Sequence, residues 1–258
     1  MKLKGRVALI TGGGRGIGRA IALAFAQEGT DIFIAGLDQP RLNAAAEAVR
    51  ALGRRCLARV ADVSDEAQVV QVVEEALKEF GKIDILVNNA GIAGPTAPVV
   101  KVTRKEWDET LAVNLTGPFL CAKAVLPQMI ARRRGKIINI ASVAAELAYP
   151  LRSPYATSKW GLLGLSRTIA AEVGEHNIQV NAICPGPVAG DRMSSVIERR
   201  ATELGKSFDE VERDYSQATA LKRMVEEKDI AAMALFLASD DGNSITGAVF
   251  DVTAGYAL

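Results

Sequence analysis

The residues with the clearest chemical use are Ser142, Tyr155 and Lys159. Tyr155 and Lys159 are four apart, so on a helix they share one face, one turn from each other. A phenol titrates near about 10 and is a poor acid–base catalyst alone. An ammonium one turn away favours the phenolate and draws that value toward working pH. Ser142 follows the apolar, β-branched run from Lys136 to Ala141, which reads as a buried strand. A hydroxyl at that strand end can hold a carbonyl or alcohol against the phenol. Together the three form an apparatus for moving a proton on and off an oxygen. A lone Tyr-x-x-x-Lys pair carries little weight, because surface helices contain such pairs by chance. Its weight comes from the rest of the chain.

Composition narrows the classes. The 258 residues are 49% hydrophobic and 24% charged with net charge +1, which suits a globular protein with one large core. Near-zero net charge gives no footprint for nucleic acid or an anionic membrane. No uninterrupted apolar segment reaches the about 20 residues that span a bilayer. Met1 to Gly5 lead directly into a strand, with no signal-peptide core. Cys56, Cys121 and Cys184 are an odd number without metal or redox spacing, and are expected to be reduced core thiols in a cytoplasmic protein. His176, the only histidine, reads as a surface residue at a helix end, so neither a His-based triad nor a His metal site is expected. Arg132-Arg133-Arg134 is expected to be solvated at a helix C-terminus, where cations are favoured.

The supporting elements follow in order. Arg6 to Thr11 reads as a strand, Gly12-Gly13-Gly14-Arg15-Gly16-Ile17-Gly18 as a turn, and Arg19 to Gln27 as a helix. Strand, glycine turn and helix N-terminus make an anion site, with backbone N–H groups and the helix dipole facing a phosphate. The spacing is Gly-x-x-x-Gly-x-Gly, not the commoner Gly-x-Gly-x-x-Gly, and no P-loop Lys-Ser/Thr follows. Asp31 to Gly36 is the second strand. An acid at its end would accept from ribose hydroxyls, an arginine would hold a 2′-phosphate. The sequence there is Gly36-Leu37-Asp38, so the expectation leans to NAD over NADP. Arg15 and Arg41 are the candidate phosphate partners, or equally solvated charges.

Arg41 to Leu52 reads as an amphipathic helix and Arg55 to Ala61 as a strand ending at Asp62-Val63. Ser64 reads as the N-cap of a helix through Phe80. Ile83 to Val87 is an apolar strand carrying Asn88-Asn89-Ala90-Gly91, small and amide residues suited to a loop against a cofactor. Thr103 caps a long helix to about Arg132, which holds Asn114 among apolar neighbours. A mid-helix asparagine is disfavoured, so it either faces solvent or its amide is used. Beyond the helix holding Tyr155, a strand from Asn177 to Ile183 ends at Cys184-Pro185-Gly186-Pro187-Val188. A charged cover of one or two helices spans 189–220, Glu226 to Ser239 is a helix, and Gly247 to Val252 is the last strand. This alternation, with no linker or repeat, calls for one doubly wound α/β domain over 1–258, with about seven mostly parallel strands and helices on both faces.

Thr11-Gly12-x-x-x-Gly16-Ile17-Gly18, Asn88-Asn89-Ala90-Gly91, Asn114, Ser142, Tyr155-x-x-x-Lys159 and Pro185-Gly186 occur in order over nearly the whole chain. In this the sequence resembles the short-chain dehydrogenase/reductase family. The resemblance implies a Rossmann-type fold and hydride transfer between a nicotinamide and a carbonyl or secondary alcohol. It implies that Tyr155 is the acid/base, that Ser142 orients the substrate oxygen, and that Lys159 lowers the tyrosine's pKa and binds the nicotinamide ribose. Asn114 would hold a water in a proton relay. Gly12, Gly16 and Gly18 would cradle the pyrophosphate, and Arg15, Ile17 and, toward the ribose, Asp38 would belong to the same cofactor site. Asp62, Val63 and Asn88 would border the adenine side, and Ala90, Gly91, Pro185, Gly186 and Val188 complete the cofactor site. It also implies a cytoplasmic homotetramer packed through the helices holding Asn114 and Tyr155.

Three departures stand out, the first being that no acid stands directly at the end of the second strand, where Asp38 comes two residues late. A threonine often follows Pro-Gly in the family, where this chain has Pro187-Val188-Ala189-Gly190. The C-terminal Asp-Gly-Gly is replaced by Thr253-Ala254-Gly255. Candidate substrate residues are Val143, Leu147, Tyr149, Arg152, Pro187 and the cover. Arg152 and Arg192 could receive an anionic group, although solvated surface charge is the stronger expectation for each. The reading is an NAD(P)-dependent oxidoreductase acting on a small alcohol, sugar, hydroxy acid or 3-oxoacyl compound, with no resident metal. A 3-oxoacyl thioester reductase using NADPH, and a catalytically silent dinucleotide sensor, are the alternatives. The intact set Asn114, Ser142, Tyr155 and Lys159 argues against the sensor.

Overall fold

Short apolar runs bounded by glycine and polar turns become strands, the central ones buried on both faces as parallel sheets require and the two edge strands only partly so. A computed structural model of the chain describes residues 1–256. The strands are β1 (Val7–Thr11), β2 (Asp31–Gly36), β3 (Cys56–Val60), β4 (Ile85–Asn88), β5 (Gly135–Ile140), β6 (Ile178–Pro185) and β7 (Val249–Val252). All pair in parallel in the order β3-β2-β1-β4-β5-β6-β7. The strand order reverses between β1 and β4, and the crevice there is where such sheets take ligands.

Side chains alternate between two core layers, as the strand period of two demands. Ala8, Ile10, Ile32 and Ile34 face α1 (Gly16–Gln27), α2 (Gln39–Ala51) and α9 (Glu227–Ala238). Leu9, Phe33, Ala35 and Leu86 face α3 (Glu66–Phe80), α5 (Gly117–Arg132) and α6 (Ser153–Val173). Phe33 is fully buried, so truncating it to alanine would cost about 3–5 kcal/mol.

The long helix expected from Thr103 to Arg132 is one helical run with a defect. Thr103 and Glu106 form a capping box for α4 (Arg104–Leu111). A π-turn over Ala112–Thr116 then separates it from α5. The run Arg104–Arg132 has the length and apolar composition of a membrane span, yet Val125 and Met129 are fully buried in the core beneath the sheet.

Two local expectations are corrected. Asp65, not Ser64, caps α3, accepting from Gln68 N, while the Ser64 hydroxyl and N–H are both turned back to Asp62. The second helix begins at Gln39 because Asp38 is its N-cap. The basic triplet is exposed at the C-terminus of α5, as expected, and there Arg132 pairs with buried Asp84 at 2.6 Å and Arg133 donates to Glu175 O. The charged cover resolves into α7 (Asp191–Leu204) and α8 (Phe208–Gln217), joined by a small core of Ile197, Ala201, Val211 and Tyr215.

Candidate active site

The glycine turn sits at the C-terminal end of β1. The Thr11 hydroxyl accepts from the N–H groups of Asn89 and Ala90, each at 3.0 Å, and the Asn89 amide donates to Thr11 O and Gly12 O. The turn after β1 and the loop after β4 are therefore one hydrogen-bonded unit. A side chain at Gly18 would collide with Gly12 O and the Asn89 amide, so glycine there closes the turn on itself. Gly16 opens the helix at φ +57°, in the left-handed region. Arg15, the N-cap of α1, is exposed and caps nothing, and the first turn holds no acid. The uncapped amides of α1 fit an anion brought by a ligand, so the turn fits a dinucleotide diphosphate.

At the end of β2, Leu37 is 70% exposed and Asp38 is partly committed. The Asp38 carboxylate accepts from Arg41 N at 3.1 Å and lies 3.3 Å from Arg41 Nε. Val63 is buried against Gly117, and Asp62 organises the Ser64 turn. Asn88 turns inward: its amide donates to Asn139, which donates to Ser166, so its main chain alone is left to border a ligand. Parallel pairing puts Asn88 and Asn139 side by side in the interior, where the Asn88 amide nitrogen finds a partner and its Oδ1 has none.

The candidate reacting groups gather where β5 and α6 meet. Ser142 leaves β5 in extended conformation and accepts from Ala144 N at 3.2 Å, capping a single turn over Val143–Ala145. Tyr155 lies in the first turn of α6 and is half-buried. Lys159 is buried, and its ammonium donates to Ile140 O at 2.8 Å and lies 5.9 Å from the centre of the Tyr155 ring. Burial alone would raise the Tyr155 phenol. Lys159 first, then Arg192, the Ser142 hydroxyl and Arg152 outweigh it and hold the phenol below its ordinary value. Burial likewise lowers Lys159, opposed by the developing charge on Tyr155.

Asn114 is fully buried in the π-turn. It accepts from Ile92 N at 2.8 Å and donates to Ile92 O and to the Ser158 hydroxyl, which itself donates to Tyr155 O. Its amide thus ties the loop after β4 to α6. Gly91 lies against it, where a Cβ would stand 3.0 Å from Asn114 Oδ1. Ser158 and Asn89 are the positioning residues sequence reasoning passed over. The doubled asparagine was the available signal for the second.

On the far side, Gly186 N donates to Val252 O and a side chain there would strike Thr253. Val225 donates to Pro187 O and Val188 bridges to Val225, so Pro185–Ala189 is zipped to the C-terminal segment. Val143 is buried, Leu147 partly so, and Tyr149 meets Tyr215 of the cover hydroxyl to hydroxyl at 3.2 Å. Burial pushes the Tyr149 phenol up, so it stays neutral. The expectation of a solvated Arg152 is overturned: it is 4% exposed and donates to Ala93 O. Arg192 is exposed, and donates to Gly91 O.

Although the cysteines lack metal spacing, the fold brings Cys184 to Glu146 and Asp251, with ligand atoms within 4.8 Å of one another. Burial first, then Glu146, push the thiol up to about 12. It stays protonated, and burial first, then the Asp251 carboxylate, hold the Glu146 carboxyl above its ordinary value. All three cysteines are unpaired and buried.

Comparisons with known proteins bear on the family. Residues 12–257 match a family described as enoyl-(acyl carrier protein) reductase. A 3-oxoacyl-(acyl-carrier-protein) reductase of Thermotoga maritima is 35% identical over 100% of both chains. A hydroxy(phenyl)methylsuccinyl-CoA dehydrogenase subunit of Thauera aromatica is 37% identical over 100% of this chain and 99% of its own. Among solved structures, NAD+-bound xylitol dehydrogenase superposes with a TM-score of 0.96 at 34% identity, covering 99% of this chain and 100% of its own. Levodione reductase gives 0.94 at 36% identity, covering 98% of each. With its seven-stranded Rossmann-type sheet and its motifs in order, the chain belongs to the short-chain dehydrogenase/reductase family, whose members transfer hydride between NAD(P) and a carbonyl or alcohol.

Proposed function

We propose that the protein interconverts a secondary alcohol and a ketone on a small molecule, with Tyr155 as the acid/base. The observation that carries this reading is the phenol held below its ordinary value beside a strand-end serine. In the reductive direction the Tyr155 O–H gives its proton to the carbonyl oxygen as negative charge develops there, and the Ser142 hydroxyl donates a second hydrogen bond to that oxygen. Lys159, fixed on Ile140 O, stabilises the phenolate left behind. With its amide spent on Ile92 and Ser158, Asn114 would hold a relay water through its main chain. The glycine turn, the α1 amides and the loop after β4 would hold NAD(P), which supplies or accepts the hydride. Tyr155→Phe tests the reading: turnover falls by about 10²–10⁴-fold with cofactor binding retained. Full turnover in that variant would remove the assignment.

For the cofactor we propose NAD. Asp38 has carboxylate lone pairs left for ribose hydroxyls, and Leu37 offers a 2′-phosphate nothing. Separate titrations with NADH and NADPH, followed by nicotinamide fluorescence, decide it. NADPH preference would shift the role to Arg15 and Arg41 and favour the second reading, a 3-oxoacyl thioester reductase, which the Thermotoga relative supports. We also propose a cytoplasmic homotetramer. Phe119 on α5 and Trp160 on α6 are 44% and 53% exposed, apolar area that a partner would cover. Light scattering at micromolar concentration checks it.

A further inference from the structure

We propose that the substrate carries a carboxylate within a few bonds of the reacting carbon, bound by Arg152 with Arg192. The inference rests on the reading of Tyr155 above and names the substrate class of that site.

A buried guanidinium normally meets an acid, because burying an unpaired ion costs several kcal/mol. Arg152 is 4% exposed, yet no acid pairs with it or with Arg192 among the described residues. Its one hydrogen bond goes to Ala93 O at 2.8 Å, and its Nε is buried with no partner at all. Its Cζ stands 5.0 Å from the centre of the Tyr155 ring and 6.0 Å from that of Tyr149. The orphaned donor therefore lies beside the phenol that handles the reacting oxygen.

The surroundings share that sign. Arg152 is the N-cap of α6, whose first turn holds no acid, so the helix end adds its own positive potential. Arg192 reaches in from the first turn of α7 and donates to Gly91 O, close enough to act on both Tyr155 and Arg152. Lys159 is the third cation around the same phenol. The neighbouring Tyr149 phenol, pushed up by burial, stays neutral and meets the Tyr215 hydroxyl. What the site lacks is an anion, and a planar carboxylate suits a guanidinium fork with a free Nε. A 2- or 3-oxo acid, or the matching hydroxy acid, supplies it. An acyl thioester, neutral at its reacting end, does not.

The test is calorimetric titration of the wild-type protein saturated with oxidised cofactor, in which an oxo acid binds without turnover. The probes are 2-oxobutanoate and 3-oxobutanoate, each against its methyl ester. At least one acid is expected to bind ten-fold or more tightly than its ester. Arg152→Gln should abolish that preference and Arg192→Gln, at an exposed position that tolerates change, should reduce it. Equal or tighter ester binding, preference unaltered in both variants, or no binding by either acid would overturn the proposal. The oxidoreductase reading is read separately, from ketone reduction lost in Tyr155→Phe.

Discussion

The Lys159 ammonium is anchored on the main-chain carbonyl of Ile140 at 2.8 Å, so the cation that tunes Tyr155 is fixed by the last residue of β5. Helix and strand are thereby locked at the point where phenol and serine must meet. Replacing Lys159 with methionine keeps the bulk and removes the charge. The phenol then rises, because burial is left opposed only by the arginines and Ser142. Alcohol oxidation, which needs the phenolate, shifts its pH profile to the alkaline side, and kcat/KM at pH 7 falls by about 100-fold or more. An unshifted profile would contradict the electrostatic role.

Asn89→Ala removes the two amide bonds that hold the glycine turn to the loop after β4. The expected cost is about 1–3 kcal/mol, since two main-chain carbonyls lose a donor. Cofactor affinity should fall while kcat at saturating cofactor is nearly unchanged. Denaturant melts and fluorescence titration check both parts.

Ala254 sits at φ +54° within the segment that replaces the family's Asp-Gly-Gly. An L-residue pays about 1–2 kcal/mol for that conformation. Ala254→Gly relieves it but loosens the unfolded chain, leaving a net gain of about 0.5–1 kcal/mol. Chemical denaturation should show a raised midpoint; a lowered one would mean that the alanine methyl is packed to advantage.

Burial first, then the Asp251 carboxylate, hold Glu146 above the ordinary glutamate range. The folded state thus binds this proton more tightly than the unfolded chain does. That contribution is fully present below the ordinary glutamate value and is lost as pH rises through the raised one. Glu146→Gln should raise Tm at pH 8 and lose that advantage at pH 4. Equal Tm differences at the two pH values would dissociate the pair from stability.

Much of this was legible beforehand because strand runs and motifs obey local rules. Alternation around Leu9 and Phe33, the Thr103 box and the Tyr155–Lys159 spacing need no tertiary knowledge. Burial of a charge does. Arg152 looked solvated because sequence cannot show that Tyr149, Tyr155 and the loop at Ala93 close over it. Asn114 was visible as an anomaly, but the π-turn that admits it depends on Ile92 and Ser158, distant in the chain. Asp65 displaced Ser64 as a cap because Asp62 captured the serine, a competition between adjacent turns that composition does not resolve.

The packing of α1 on α9 places the beginning and end of the chain in one core layer: Ile21 and Phe25 share a cluster with Ile230 and Leu237. During synthesis the apolar side of α1 therefore emerges about two hundred residues before its cover. The amino-terminal half must wait, partly uncovered and prone to stick to other surfaces. A chain stopped short of Glu227 is then not a shorter enzyme but an unfinished one, whose nucleotide-binding end is left open by the loss of residues two hundred positions away.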